Sequence, residues 1–365
     1  MRACSSCILP EAAPGADLDA KGVCRFCRDA KAGLPAAPSN AAPPEEELKR
    51  RRAVLDEALS QGRGKGEYDV LVCLSGGKDS LYLLHRAKVE LGLRVLAFTT
   101  DVNLPDIAWN NILRTVKKLQ VDHLVYRPQS EFYKKLFRYL LTHQEARGAV
   151  YTVSYVYAPL FEGDAIKVAM QKGIPIVLAG YSPGQPEPER MTFEFSRDLM
   201  TRTDWTPPHL RTCGAFSEDE LSRFYNPTLL PKGTQFPRYF APFHAWDYNQ
   251  ETIMKKVVEL GLVANTRSAS PIFSNYPINW LLMLSDLKAF GFNPYAPEFA
   301  ALIRSGKASY NQWRLMAPAV DWMIRNKALL GKDAAIWLKE LGLRESDLAI
   351  NLPHGAYDPV LPSAA

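Results

Sequence analysis

Long apolar runs are missing from this sequence, and further absences narrow what the chain can be. No stretch approaches the roughly 18 consecutive apolar residues of a membrane span, and the first thirty residues hold no apolar segment of signal-peptide length. A cytoplasmic protein without membrane association is the expectation. No internal repeat is apparent. Charge of one sign is not in large excess either: 44 Lys and Arg against 39 Asp and Glu leave a formal +5 spread along the chain, which suits anionic substrates without arguing for DNA. Even the densest basic run, Lys49-Arg50-Arg51-Arg52, has Glu46 and Glu47 four residues before Arg50 and Arg51 and an apolar stripe of Leu48, Leu55 and Leu59. It reads as a salt-bridged amphipathic helix. Cysteine is sparse. Six in 365 residues, in that compartment, point to metal ligands or reactive thiols rather than to disulfides.

What is present is an ordinary enzyme composition, 47% apolar and 23% charged, in a length that suits two domains and a small appendage. The chain is organised around Tyr68-Asp-Val-Leu-Val-Cys-Leu-Ser75-Gly-Gly-Lys-Asp-Ser80. An apolar, β-branched run breaks at two glycines and resumes with helical spacing, which predicts a buried strand, a tight turn and a helix N-terminus. The first-turn amides, the positive end of the helix dipole and Lys78 all face an anion over Gly76 and Gly77, where no Cβ keeps phosphate oxygens away. The commoner phosphate loop would need Gly at Val72 and Ser or Thr at Asp79, and a Rossmann fingerprint is absent.

Ser75-Gly-Gly-Lys-Asp-Ser80 resembles the pyrophosphate loop of the ATP pyrophosphatase (PP-loop) superfamily. The resemblance implies ATP held by its β- and γ-phosphates with Mg2+, the α-phosphate offered to a substrate oxygen. Two knuckles precede it, Cys4-Ser-Ser-Cys7 and Cys24-Arg-Phe-Cys27, with a separation that lets four thiolates close a tetrahedron around zinc. A closed site of this kind is structural, so stability rather than chemistry is expected of it. Cys4-x-x-Cys7-Ile-Leu-Pro10, Pro14-Gly15 and Lys21-Gly-Val-Cys24-x-x-Cys27 are together similar to the amino-terminal zinc module of the N-acetyl sugar amidotransferase family.

The expected order is a Cys4 zinc module over 1–30, a linker and amphipathic helix over 31–66, and a PP-loop ATP-binding domain over 67–182. A Pro-rich excursion or lid over 183–248, a helical region over 249–345 and a tail over 346–365 follow. Within the nucleotide domain, strands at 70–74, 94–103, 121–126 and 174–180 alternate with helices at 80–91, 106–119, 130–147 and 158–172, an α/β pattern with a parallel sheet. Ligands in such sheets lie beyond the carboxyl ends of strands. Thr99, Thr100 and Asp101 are therefore candidates for adenosine or magnesium, with a strand-ending Asx turn the alternative for Asp101. Gly180, Tyr181 and Gln185 are candidates on the same rim, where Gly-Tyr-Ser-Pro-Gly-Gln replaces the Gly-Glu-Asn type ending of the amidotransferase family. Helices are expected at 249–260, 276–290, 296–305, 309–330 and 332–341. Ser270-Pro-Ile-Phe-Ser-Asn275-Tyr-Pro-Ile-Asn279 and Lys288-Ala-Phe-Gly-Phe-Asn-Pro-Tyr295, with Ile303-Arg304-Ser-Gly-Lys307, loosely resemble the carboxyl-terminal helical region of amidotransferases and of some tRNA-thiolating relatives, with Arg304 and Lys307 as candidate anion contacts and surface solvation the alternative for each.

The leading functional reading is an AMP- and pyrophosphate-forming enzyme that adenylates an amide or carbonyl oxygen of a small-molecule acceptor, such as an N-acetyl sugar, for attack by ammonia. Lys78 and Asp79 carry the catalysis. The resemblance implies a separate glutaminase subunit, and a homodimer is compatible. The alternative is a sulfurtransferase acting on a tRNA base or heterocycle through a persulfide on Cys213, Cys73 being expected to lie buried in its strand. A non-catalytic nucleotide-binding regulator is a third reading, disfavoured by intact Lys78, Asp79 and Ser80.

Overall fold

The apolar run after Tyr68 becomes the central strand of a five-stranded parallel sheet, and the elements around it follow from how each buries its apolar side. The computed structural model describes residues 2–34, 44–183 and 193–358. In chain order the first elements are α1 (Arg25–Lys31), α2 (Glu45–Gly62), β1 (Val70–Cys73), α3 (Lys78–His85), β2 (Val95–Thr100), α4 (Asp106–Leu119), β3 (Asp122–Tyr126), α5 (Ser130–Thr142), β4 (Gln144–Glu145), α6 (Ala149–Gln171) and β5 (Ile176–Leu178). There follow α7 (Arg197–Thr201), α8 (Pro208–Thr212), α9 (Glu218–Leu221), β6 (Arg238–Phe240), α10 (Gln250–Glu259), α11 (Thr266–Ala269), α12 (Pro271–Ser274), α13 (Asn279–Phe290), α14 (Ala296–Arg304), α15 (Tyr310–Asn326), α16 (Lys332–Glu340) and β7 (Ile350–Leu352).

The sheet order is β3-β2-β1-β5-β6, every pair parallel, with Val70 opposite Val95 and Leu71 opposite Val177. The chain runs outward from β1 through β2 to β3 and then crosses back to place β5 on the other side of β1, so the strand order reverses between β1 and β5 and a crevice opens at their carboxyl ends. One face is covered by α2, α3, α4 and α10, whose Leu55, Leu81, Ile112 and Ile253 share one core with Val70 and Val72. The other face takes the second half of α6, through Ala165, Ile166 and Ala169. The expected strands β1, β2 and β5 agree closely with those observed, because a strand buried on both faces reads as a continuous apolar run; the expected β3 is an exposed edge strand, and the edge strand β6 has no counterpart among the expected strands.

Three expectations need revision. The helix expected from 158 begins at Ala149, because α6 passes from the sheet into a second core, where Val150, Val153 and Leu160 meet α5, α13 and α16. Of the excursion or lid expected over 183–248, the described residues 193–248 form an ordered excursion: they supply the edge strand β6, and Phe193, Phe195 and Trp205 are buried. The segment expected as a tail is anchored through residue 358, with β7 pairing to β4 and Tyr357 Oη donating to the His143 carbonyl at 2.7 Å. The salt-bridged helix is found at α2, where Glu47 pairs with Arg50 and Arg51, both at 2.7 Å. Among the described residues no helix is long and apolar enough to cross a membrane.

Candidate active site and four-cysteine cluster

The loop from Leu74 to Gly77 turns β1 into α3 through Gly76 at φ +79°. A Cβ there would lie 2.5 Å from the Ala108 carbonyl oxygen, so both the dihedral and the space demand glycine. The helix begins at a residue with no side chain to cap it, leaving the first-turn amides directed into the crevice. Ser80 Oγ braces the turn, accepting from the Ser75 amide at 3.2 Å and donating to the Gly77 carbonyl at 3.1 Å. At the end of β5, Gly180 crosses directly over this helix start; a Cβ on it would meet Ser80 N at 2.8 Å. That contact brings the two rims of the crevice together.

Lys78 is buried within this cradle, its Nζ 2.6 Å from Asp79 Oδ2 and 3.2 Å from Tyr248 Oη. Burial works against its charge, but the Asp79 carboxylate and Tyr248 outweigh it, so the pKa stands above the ordinary lysine value and the group is an ammonium. Asp79 Oδ1 is buried and, among the described residues, without a hydrogen-bond partner. An unpartnered carboxylate oxygen beside the glycine loop fits a hard divalent cation such as Mg2+.

A cavity of about 1190 Å3 extends from the loop toward the carboxyl-terminal helices, beyond the about 300–1,000 Å3 of an ordinary ligand pocket. Ser75, Lys78, Asp79, Ser80, Thr100, Gly180 and Tyr181 line it. Its far wall is aromatic: Tyr157 meets Tyr276 edge-on at 5.9 Å, and Phe299 stacks on Trp313 at 3.5 Å between ring centres. Glu298 also faces the cavity. Burial pushes its carboxyl up to about 8, with Lys78 opposing and Asp79 adding to the rise.

Other sequence candidates lie elsewhere. Thr99 does not line the cavity; its hydroxyl is 2.6 Å from the Leu74 carbonyl and 2.9 Å from His123 Nε2, tying β1, β2 and β3 together. Asp101 caps a turn by accepting from the Leu104 amide and pairs with Arg127 at 2.6 Å, which is the Asx-turn alternative. Cys213 is outside the cavity at the end of α8, its thiol toward the Leu210 carbonyl, and Arg211 is engaged by Asp204 and Glu218. Cys73, expected to be buried, is half-buried and faces the cavity beside Tyr239; burial pushes its thiol up to about 12. Gln185 lies outside the described residues. Arg304 donates to Cys7 Sγ at 3.3 Å.

The four sulfurs of Cys4, Cys7, Cys24 and Cys27 lie within 4.8 Å of one another and are buried. Cys4 Sγ lies 3.8 Å from Cys27 Sγ, and Cys7 Sγ 3.6 Å from Cys24 Sγ. A tetrahedron with metal–sulfur bonds of about 2.3 Å has edges of about 3.8 Å, so the cluster suits a tetrahedral thiophilic metal. The Ser6 and Cys24 amides donate to Cys4 Sγ, the outer hydrogen bonding that orients a thiolate ligand. Sequence spacing singled out these four cysteines. It gave no signal for Tyr248, Glu298 or the cavity face of residues 2–10, which are remote in the chain from the loop they join.

No protein-family model matches the chain, and no curated protein matches it. Among solved structures it is similar to NMN synthetase from Francisella tularensis, at 13% identity and a TM-score of 0.36 over 80% of this chain and 96% of that one. The U34-tRNA thiolase NcsA from Methanococcus maripaludis, with its [4Fe-4S] cluster, is 11% identical at a TM-score of 0.34, covering 100% and 94%. The NH3-dependent NAD synthetase from Campylobacter jejuni is 14% identical at 0.34, covering 81% and 96%. Likenesses of this size leave activity to the geometry of the site.

Proposed function

We propose that this protein is an ATP pyrophosphatase-type enzyme that adenylates an amide or carbonyl oxygen of a small acceptor and passes the activated carbon to ammonia. The observation that carries this reading is the buried Lys78 ammonium at the start of α3, paired with an Asp79 whose second oxygen lacks a partner. An amide oxygen is a poor leaving group, and its bond to AMP makes it a good one. The loop amides and Lys78 would hold the β- and γ-phosphates and offset the charge gathering on pyrophosphate as the bond to the α-phosphate breaks. Magnesium, when bound, draws further charge from those phosphates, and Asp79 Oδ1 is the group here to hold it. The acceptor would occupy the part of the cavity toward Tyr157, Tyr276 and Trp280.

Ammonia is preferred to sulfur as the nucleophile. The thiol that faces the cavity from β1, Cys73, is held protonated, and Cys213 lines none of it. Zinc is the proposed occupant of the four-cysteine cluster, and a glutaminase subunit the proposed ammonia source. Incubation with ATP, ammonium and a panel of N-acetyl sugars and carboxylates is expected to release AMP and pyrophosphate. ADP and phosphate in their place would overturn the assignment. Lys78→Ala is expected to lower turnover by about 100–1,000-fold.

A further inference from the structure

Helix α14 stands between the four-cysteine cluster and the cavity. Ala300 is fully buried among the cysteines with Ile303 beside it, and Arg304 is anchored on Cys7 with its guanidinium 5.2 Å from the ring centre of Phe26. Positions 300, 303 and 304 share one face at helical spacing. Glu298 is turned about 200° from Ala300 around the axis, at 100° per residue, and with Phe299 it faces the cavity. Lys78 and Asp79 are the charges that act on its carboxyl. The segment carrying the first knuckle lines the same cavity through Arg2, Ser5, Ile8 and Pro10.

We propose that the four-cysteine module is a working part of the ATP site: its metal holds α14, and α14 holds Glu298 as a positioning residue opposite the Lys78–Asp79 pair. This rests on the reading that the loop binds Mg·ATP. A nine-residue helix is too short to persist without packing partners. The module's own core is four cysteines with Leu9, Ala13 and Ala16, too small to stay folded without a metal. Metal loss therefore removes the surface on which Ala300 and Arg304 rest, leaves α14 packed through Phe299 and Leu302 on Trp313 of α15, and frees Glu298 from its fixed place in the cavity.

The test uses the full chain, metal-loaded and after chelation, with two readouts: amide exchange over residues 296–304, and calorimetric binding of Mg2+ with an α,β-methylene ATP analogue. Chelation is expected to deprotect 296–304 and weaken the analogue about tenfold, the usual size of a lost outer contact, while strand 70–73 stays protected. Arg304→Gln, which leaves all four sulfurs, is expected to shift both readouts the same way with metal content unchanged. Glu298→Gln is expected to weaken the analogue with 296–304 still protected. Unchanged exchange over 296–304 after chelation, or unchanged affinity in Glu298→Gln, overturns the proposal. Failure of the metal-loaded wild type to bind the analogue overturns the loop reading itself, and it shows before any metal is removed.

Discussion

Gly76 and Tyr248 shape the proposed phosphate site in different ways, one by having no side chain and the other by reaching Lys78 with one. At Gly76 an alanine would be strained by φ +79° and would collide with the Ala108 backbone, which cannot retreat as a flexible side-chain tip could. Gly76→Ala is expected to cost about 1–3 kcal/mol in urea denaturation and to abolish nucleotide binding, since the loop must move to admit the methyl group. A variant with wild-type stability and wild-type affinity would show that the loop does not carry phosphate. Tyr248 is a subtler case. Its hydroxyl and the Asp79 carboxylate hold the buried Lys78 ammonium, so Tyr248→Phe is expected to lower AMP release several-fold with little change in KM for the acceptor.

At the scale of elements, Asp69 joins the start of β1 to the start of β2. Its carboxylate accepts from the Arg94 amide at 2.9 Å and the Gly64 amide at 2.8 Å, and pairs with the Arg94 guanidinium at 2.6 Å. Burial pushes the Asp69 pKa up, but these hydrogen bonds outweigh it and hold it down at about 2, below the ordinary 3.8. Because the folded value is the lower one, the contribution is fully present above pH 3.8 and is lost as the pH falls toward 2. Asp69→Asn is expected to cost about 1–2 kcal/mol at pH 7, reduced by the solvent around Arg94, and to flatten the stability profile between pH 4 and pH 2 in acid titrations read by circular dichroism. The elements differ in how legible they are in the chain. β1, β2 and β5 follow from their apolar runs, whereas the first half of α6 does not, because a helix buried on every side has no amphipathic period and Pro159 imitates a helix start. β6 is three residues long in a Pro-rich stretch, and only pairing with β5 makes it a strand.

For the whole molecule, the four-cysteine cluster sets how the amino terminus is attached. One metal per chain is expected in elemental analysis, and Cys24→Ser should lose it together with several degrees of melting temperature, since the module has little else to hold it. A metal-free wild type with four freely titratable thiols would remove that claim. What the sequence determined by itself is contiguous: the strand, glycine turn and helix start at 70–80, and two knuckles whose spacing alone permits a tetrahedral site. Backbone dihedrals and short-range ligand reach are local properties, so neighbouring residues suffice to specify them. Only the tertiary structure decided that Thr99 and Asp101 turn to His123 and Arg127, that Cys213 lies outside the cavity, and that Tyr248 reaches Lys78 while Glu298 lines the same cavity. Those placements depend on which apolar faces of distant helices find each other, and side-chain packing of that kind leaves no spacing rule in the chain.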